Sequence, residues 1–412
     1  MDYGVLLLSR AAEWFPGAAL HVCPAATAVS TREMTRLRIA MAACCTVALA
    51  ACGGPSAGTT GAGPASGAAT ATAPRTVTVT APAAPPSDPA GRAGAVRTVA
   101  TGLEVPWGLA FLPGGDALVG ERDSGQILRL PKGGGTPRRV MTITSAFNDG
   151  GEGGLLGLAV SPAYATDHLV YAYVTTRTDN RIVRFRLGGA IRPILTGLRR
   201  GTIHDGGRIA FGPDRKLYAG VGETGVGGLA QDPSSRNGKI LRMNPDGSAP
   251  SDNPVDGSLV YSLGHRNVQG LAWDANGRLW ESEFGQNRFD EVNLIRPGGN
   301  YGWPVVEGVG DTAGGKYTNP LVTWSTSQAS PSGAAIVGDT MYIGALQGQD
   351  VLRVRLSGTS ARKLAPWLAG RFGRLRTVVR APDGALWVTT SNRDGRGVPR
   401  AGDDRILRVS VR

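Results

Sequence analysis

Residues Ile209–Glu223 read IAFGPDRKLYAGVGE, an apolar strand followed by a turn of Gly, Pro and Asp and then a second strand. Two short apolar runs joined by such a turn are typical of an antiparallel hairpin. Related phrases recur at intervals of 43 to 64 residues. The six copies start at Leu109, Leu158, Ile209, Leu271, Ala335 and Val378.

A third strand often follows the phrase. Its copies read QILRL from Gln126, KILRM from Lys239, DVLRV from Asp350 and RILRV from Arg405. A repeat of roughly fifty residues with three or four strands is typical of a propeller blade. The sequence therefore predicts an all-β fold, a six-bladed β-propeller with four-stranded antiparallel blades around a central channel. Two packed sandwiches would not require the same phrase six times.

Composition supports this prediction and limits the partners. The chain has 61 Gly and 27 Pro among 412 residues, which favours frequent turns over a helical bundle. The formal net charge is +12, but the basic residues are scattered and form no stripe interleaved with aromatic residues. We therefore predict a solvated surface and no nucleic-acid partner.

A hydrophobic segment begins at Met34 with the sequence MTRLRIAMAACCTVALAAC. Arg36 and Arg38 provide positive charge, and the apolar run 39–51 that follows is too short to span a bilayer. The run ends in small residues before Cys52, a pattern that resembles the lipobox of bacterial lipoproteins, in which this cysteine is lipidated. An ordinary signal peptide with a chance cysteine is the alternative.

The segments around this signal define the predicted organisation. All four cysteines precede residue 53, so the rest of the chain has no disulfide or thiol chemistry. Residues 53–95 contain too few large apolar side chains to form a core. We expect an exported protein, held on the outer face of the cytoplasmic membrane by its lipid anchor alone. The predicted order is a non-native extension (1–33), a lipoprotein signal peptide (34–52), a flexible Ala/Gly/Thr/Pro-rich tether (53–95) and the propeller (96–412).

Three histidines follow the signal region. His168 lies within a strand phrase, so we expect a surface or packing role. His204 precedes the third phrase in the Gly-rich segment TIHDGGR, where it is either a general base facing the channel or a structural loop residue. His265 is followed by Arg266 and Asn267. This arginine could bind a carboxylate or a developing oxyanion, or it could only connect neighbouring blades.

Other loops offer ligands for ions. Asn148–Gly154 reads NDGGEGG, and Glu281 and Glu283 lie in a second glycine-containing loop. Backbone carbonyls beside carboxylates suit calcium, although the spacing matches no EF-hand. Arg374 and Arg376 precede the last phrase. Alternate residues of an extended segment point to one side, so these two arginines could bind one polyanion.

Six motifs occur in order between Leu103 and the C-terminus: PWGLAF, GEGGLLGLAVSP, HDGGRI, GHRNVQGLAW, NYGWPVVEG and LRTVVRAPDG. Together they resemble the glucose/sorbosone dehydrogenase family, whose soluble members carry pyrroloquinoline quinone (PQQ) and calcium on a six-bladed propeller. The resemblance specifies the architecture better than the substrate, because the substrates of this family are more varied than its fold.

The resemblance implies catalytic and cofactor-binding roles. His204 is then the general base that takes the proton from the anomeric hydroxyl of a sugar while hydride passes to the quinone. Arg266 resembles the residue that stabilises negative charge on the reduced quinone oxygen, with Asn267 beside it. Arg374 and Arg376 resemble the pair that binds the carboxylates of the cofactor.

Further positions are implied in the same way. Glu152 stands where the glucose dehydrogenases have a glutamine near the cofactor and the sugar. The carbonyls of Gly285 and Gln286 stand where the family binds the calcium that polarises the quinone. Glu291 and Tyr301 match positions of a second, structural calcium site.

The sequence also departs from the family pattern. Gln347 occupies a cofactor-binding position at which the family has a lysine. Phe284 stands where the glucose enzymes have a glutamine, and Ile203 replaces an aspartate next to the predicted base. The loop before Pro331 is short and lacks the aromatic pair of the family.

The predicted function is PQQ- and calcium-dependent oxidation of aldose sugars to lactones, with a sugar as substrate and an electron acceptor that the sequence does not identify. Two alternatives belong to other classes. One is a non-catalytic propeller that binds glycans or proteins at the cell surface, which the replacement by Gln347 favours. The other is a calcium-dependent lactonase-like hydrolase, for which Glu152, Glu223 and Glu283 are the available carboxylates.

Overall fold

The computed structural model describes residues 93–411, and their strands form six separate antiparallel sheets of four strands each. The first strand, β1 (Val96–Ala100), belongs to the last sheet. Blade 1 contains β2 (Pro106–Phe111), β3 (Ala117–Glu121), β4 (Gln126–Leu130) and β5 (Arg138–Thr142). Blade 2 contains β6 (Leu155–Val160), β7 (Val170–Thr175), β8 (Asn180–Phe185) and β9 (Arg192–Leu198). Blade 3 contains β10 (Gly206–Phe211), β11 (Leu217–Val221), β12 (Lys239–Met243) and β13 (Val260–Leu263).

The other three blades follow the same order. Blade 4 contains β14 (Val268–Trp273), β15 (Leu279–Glu283), β16 (Phe289–Ile295) and β17 (Val322–Ser325). Blade 5 contains β18 (Pro331–Val337), β19 (Thr340–Ala345), β20 (Val351–Ser357) and β21 (Ser360–Trp367). Blade 6 contains β22 (Leu375–Arg380), β23 (Leu386–Thr390) and β24 (Ile406–Val409), with β1 as its outer strand. Helical structure in the described residues is limited to α1 (Tyr164–Asp167) and two 3₁₀ turns, Gly227–Ala230 and Ala313–Gly315.

The blades form a closed ring. The first strands of the blades, β2, β6, β10, β14, β18 and β22, each contact the next, and β22 contacts β2. Each of the six recurring phrases covers the inner strand and the second strand of one blade, so the predicted six-bladed propeller with four-stranded antiparallel blades is confirmed. The ring is closed by the pairing of β1 with β24, in which Val96 lies opposite Val409. This pairing joins the two ends of the domain in one sheet.

Packing is tight at the axis and apolar between blades. A side chain at Gly157 would place its Cβ 2.3 Å from the carbonyl oxygen of Gly207, so the inner strands of blades 2 and 3 approach closely only because this residue is glycine. Farther out, buried side chains such as Tyr171, Leu217 and Leu241 fill the space between the same blades. Each such side chain contributes about 1.5–3 kcal/mol through removal from water.

His168 has the expected surface position, but it lies in the turn of its phrase and not in a strand: it follows α1 with a positive φ of 56°, is exposed, and contacts Tyr164 edge-on. No helix within residues 93–411 is long and apolar enough to cross a bilayer. The predicted extension, signal peptide, lipidated Cys52 and most of the tether lie outside the described residues.

Candidate active site

The predicted site residues lie on loops at one end of the channel. In an antiparallel blade, the loop before the inner strand and the loop after the second strand are at the same edge of the sheet. His204, Arg266 and Arg374 precede the inner strands β10, β14 and β22, while Glu223 and Asp394 follow the second strands β11 and β23. Residues that are far apart in the sequence therefore meet at this face.

A cavity opens at this face. Trp107 and Phe284 provide its aromatic walls. Its charged lining consists of Arg122, Glu152, Asp205, Arg376, Asp394 and Arg396.

The imidazole of His204 is paired with a carboxylate. Its Nδ1 contacts Oε1 of Glu223, and both side chains are almost fully buried. The backbone of His204 has a positive φ of 56°, which is uncommon for a residue with a side chain, and its N–H donates to Oε2 of Glu152 at 2.8 Å. With Nδ1 bound to a carboxylate, Nε2 is the nitrogen available to accept a proton.

The loop of Arg266 and Asn267 adjoins this pair. The N–H of Glu223 donates to the carbonyl of Arg266 at 2.9 Å, and the N–H of Gly206 donates to Oδ1 of Asn267 at 3.1 Å. Two buried donors of the loop, Nε of Arg266 and Nδ2 of Asn267, have no hydrogen-bond partner within residues 93–411. Burial lowers the pKa of Arg266, and nearby carboxylates oppose this shift. A charged or polar acceptor that pairs with the two buried donors would therefore stabilise the loop.

A glutamate fixes the backbone of the same loop. Oε1 of Glu283 accepts the N–H groups of Arg266 and Asn267, the second at 3.0 Å, and Oε2 lies 2.9 Å from Nδ1 of His265. Nε2 of His265 lies 2.8 Å from Oγ of Ser262. Since both ring nitrogens of His265 have partners, this histidine orients the loop and is not a candidate base.

Arg374 and Arg376 form a close pair of buried guanidinium groups that share one carboxylate. Oδ2 of Asp394 accepts Nη2 of Arg374 at 3.0 Å and Nη2 of Arg376 at 3.4 Å. Although burial raises the pKa of Asp394, the two arginines lower it below its usual value. Burial lowers the pKa of Arg376 to about 10. The carboxylate that this pair contacts in the structure is therefore an internal one, that of Asp394.

Two further carboxylates border the cavity. Glu152 accepts the N–H of His204 and, at 3.1 Å, Nη1 of Arg396; burial raises its pKa, but these contacts lower it overall. Asp205 lies next in sequence to His204, and burial raises its pKa to about 6, despite its hydrogen bond from Asn180. Its Oδ2 has no partner among the described residues.

Arg208 lies across the channel below the cavity. Its guanidinium lies 4.1 Å from the ring centroid of Trp107, and it donates to the carbonyl of Gln269 at 2.7 Å and to Oγ1 of Thr377 at 3.2 Å. These partners belong to blades 1, 4 and 6. Burial lowers the pKa of Arg208 to about 9. The residue was visible in the motif HDGGRI, but nothing in the sequence placed it at the axis.

The loop after β15 presents two free carbonyls. The N–H groups of Gln286, Asn287 and Arg288 donate to Oε1 of Glu307 at 2.8–2.9 Å, which fixes the loop. The carbonyl oxygens of Gly285 and Gln286 accept no hydrogen bond from residues 93–411. Unpaired backbone carbonyls in a fixed loop are suitable ligands for calcium.

Comparison with known proteins identifies the family. The profile of the Glucose / Sorbosone dehydrogenase family matches residues 103–406. The chain belongs to the glucose/sorbosone dehydrogenase family.

Several known proteins are similar to this chain in sequence or structure. Quinoprotein glucose dehydrogenase B of Acinetobacter calcoaceticus is 35% identical over 262 residues, which cover 54% of this chain and 55% of that protein. The structure of the PQQ-bound form of aldose sugar dehydrogenase from Streptomyces coelicolor is 50% identical, with a TM-score of 0.72, and the match covers 77% of this chain and 98% of that one. Apo aldose sugar dehydrogenase from Escherichia coli is 27% identical, with a TM-score of 0.67, and the match covers 77% and 99%.

Gln347 and Tyr301 were also predicted from the resemblance. Gln347 is exposed and does not line the cavity. The adjacent Leu346 lines it, and its backbone carbonyl accepts a hydrogen bond from Nη1 of Arg374 at 3.4 Å. The hydroxyl of Tyr301 donates to the carbonyl of Leu294 at 2.7 Å and accepts the N–H of Arg296. The cofactor contact of Gln347 and the calcium-binding role of Tyr301 stay predictions.

Glu291, the other residue predicted for a structural calcium site, is also engaged. Its Oε1 accepts the N–H of Gly308 at 2.7 Å and its Oε2 accepts Nδ2 of Asn293 at 3.1 Å. Its role in calcium binding stays a prediction.

Proposed function

We propose that this glucose/sorbosone dehydrogenase oxidises aldose sugars at the anomeric carbon to lactones, with PQQ and calcium as cofactors. The single observation that carries the proposal is the buried His204–Glu223 pair next to a loop whose donors, on Arg266 and Asn267, lack partners. The names of the similar Streptomyces and Acinetobacter proteins support sugar oxidation with PQQ.

The residues present fit a quinone that carries three carboxylates. Arg374 and Arg376 would bind carboxylates, since charge-assisted hydrogen bonds to guanidinium groups are strong and specific. The partnerless Nδ2 of Asn267 and Nε of Arg266 would donate to carbonyl oxygens. The free carbonyls of Gly285 and Gln286 would provide ligands for a calcium ion beside the quinone.

The residues of the chain then have defined tasks. PQQ, when bound, supplies the acceptor for the hydride that leaves the anomeric carbon. Nε2 of His204 accepts the proton of the anomeric hydroxyl. Glu223, in contact with Nδ1, favours the imidazolium that forms, and Glu152 fixes the backbone of His204. The guanidinium of Arg266 favours negative charge in the same space.

The two alternatives lack a specific observation in their favour. Glu152, Glu223 and Glu283 accept hydrogen bonds from separate groups, and the group of possible metal ligands found in residues 93–411 does not include Glu152 or Glu223. A hydrolytic calcium site of these three residues is therefore not supported. A purely glycan-binding surface would not require a buried histidine–carboxylate pair.

The test uses the full chain, reconstituted with PQQ and calcium and assayed by dye reduction across a panel of aldoses. We expect His204→Asn to lower kcat by about 10²–10⁴-fold, the usual contribution of a positioned base. His168→Asn is the matched control, because both histidines have a φ of 56° that asparagine tolerates. Absence of calcium-dependent PQQ uptake by the wild type, measured by calorimetry, would refute the cofactor assignment. A His204→Asn variant within a few-fold of the wild type would refute the base.

A further inference from the structure

Four acidic or amide side chains share one face of blade 4. Glu281 and Glu283 are alternate residues of β15, so they point to the same side of the sheet. In the register with β16, Glu283 lies opposite Glu291 and Glu281 lies opposite Asn293, so all four side chains are neighbours. All four are buried. We call these residues the blade 4 acidic cluster.

The charges of this cluster are not balanced by protein groups. The only ion-pair partner of its three carboxylates in residues 93–411 is the imidazole of His265, which contacts Glu283. The guanidinium of Arg266 attracts Glu283 but forms no ion pair with it within residues 93–411; the contact between these two residues is the backbone N–H of Arg266 on Oε1 of Glu283. A buried carboxylate without a counter-charge is strongly unfavourable, so three adjacent ones require added positive charge or bound protons.

Hydrogen bonding leaves two oxygens unpaired. Both oxygens of Glu283 and both of Glu291 accept N–H groups or contact His265. Nδ2 of Asn293 connects Oε2 of Glu281 with Oε2 of Glu291, at 3.2 and 3.1 Å. Oε1 of Glu281 and Oδ1 of Asn293 have no donor among the described residues, although both residues are 0% exposed.

We propose that a divalent, oxygen-preferring cation binds in the blade 4 acidic cluster, with Glu281, Glu283 and Asn293 as its ligands. Ligand atoms of Glu281, Glu283 and His265 lie within 4.8 Å of one another. Two ligands of one calcium ion, each at about 2.3–2.6 Å, are at most about 5 Å apart, so the spacing admits a shared ion. His265 orients Glu283 through Nδ1, as residues that support metal ligands do.

This site uses other ligands than the carbonyls of Gly285 and Gln286 and does not depend on the proposed cofactor. It is nevertheless connected to the candidate active site, because Oε1 of Glu283 accepts the N–H groups of Arg266 and Asn267. A cation that fixes Glu283 would fix the loop that carries Arg266. The ion is therefore expected to stabilise the protein in the absence of PQQ.

The experiment uses the full chain without PQQ, treated with EDTA and dialysed. Calcium chloride and magnesium chloride are the probes, and the readouts are the thermal unfolding midpoint and the metal content of the protein. At a calcium concentration about one hundred times Kd we expect the midpoint to rise by about 5 °C. Glu281→Gln should weaken calcium binding by about tenfold or more.

The matched control is Glu121→Gln, in a buried glutamate of blade 1 whose oxygens accept the N–H of Glu104 at 2.9 Å and the hydroxyl of Ser124 at 3.0 Å. It should leave the calcium-induced rise unchanged. Asn293→Asp adds a charge to the site and should strengthen calcium binding while it destabilises the EDTA-treated protein.

The proposal is overturned if the wild type retains no metal, shows no calcium-induced rise, and is no more stable than Glu281→Gln in EDTA. That result would show that the carboxylates share protons. Equal destabilisation of Asn293→Asp with and without calcium would overturn it as well, and this variant still decides the question if Glu281→Gln does not fold.

Discussion

The contact between His204 and Glu223 leads to a prediction that tests the proposed mechanism apart from the base itself. Glu223→Gln keeps the size of the side chain and removes its charge. The carboxylate lies almost fully buried against Nδ1, so its attraction for an imidazolium is only weakly screened by solvent. A charge-assisted hydrogen bond contributes about 1.5–3 kcal/mol, and a close pair of charges at an effective dielectric constant near 20 contributes about 4 kcal/mol. Loss of about 2–4 kcal/mol corresponds to a fall of roughly 30–1000-fold in kcat.

The assay is steady-state dye reduction by the reconstituted full chain, with calorimetric titration of PQQ alongside. We expect kcat to fall while KM and PQQ affinity change little, because Glu223 acts through His204 and not on the substrate. Glu121→Gln serves as the control for loss of a buried glutamate charge outside the site. A Glu223→Gln variant whose kcat is within threefold of the wild type would refute the reasoning, since the carboxylate would then contribute nothing to proton transfer.

Three further predictions concern the cofactor, pH and the membrane. Asp394→Asn removes the internal carboxylate that Arg374 and Arg376 share, so it should raise PQQ affinity by about tenfold in calorimetry; weaker binding would show that Asp394 mainly orients the arginines. Burial raises the pKa of Asp350 to about 7, so the folded state keeps a proton that the unfolded state releases near pH 4. The free energy of unfolding of the wild type therefore falls as pH rises from about 4 to about 7. Asp350→Asn should reduce this fall by about 2–4 kcal/mol in urea unfolding at pH 4 and pH 8, and identical slopes would contradict it. We also propose that Cys52 anchors the exported protein, so Cys52→Ala should release it to the soluble exported fraction, and membrane retention would contradict this.

The sequence was informative about the site where the chemistry depends on one residue and its immediate neighbours. The loop sequences and the family resemblance point to His204, Arg374 and Arg376, and the structure places all three at one end of the channel. No local pattern points to the partners of these residues. In the sequence Glu223 fits only the hydrolase alternative, and no motif marks Asp394, because each lies 18 or more residues along the chain from the residue it contacts.

By itself, the sequence determined the propeller, the number of blades and the loops that carry the candidate chemistry. A blade is a local unit, so the alternation of strands and turns within some fifty residues specifies it, and repetition specifies the ring. The closure by β1 and β24, the position of Arg208 across the channel and the blade 4 acidic cluster were decided only by the tertiary structure. Each of these depends on strand register or on contacts between blades, and such contacts join residues whose separation in the sequence has no fixed period.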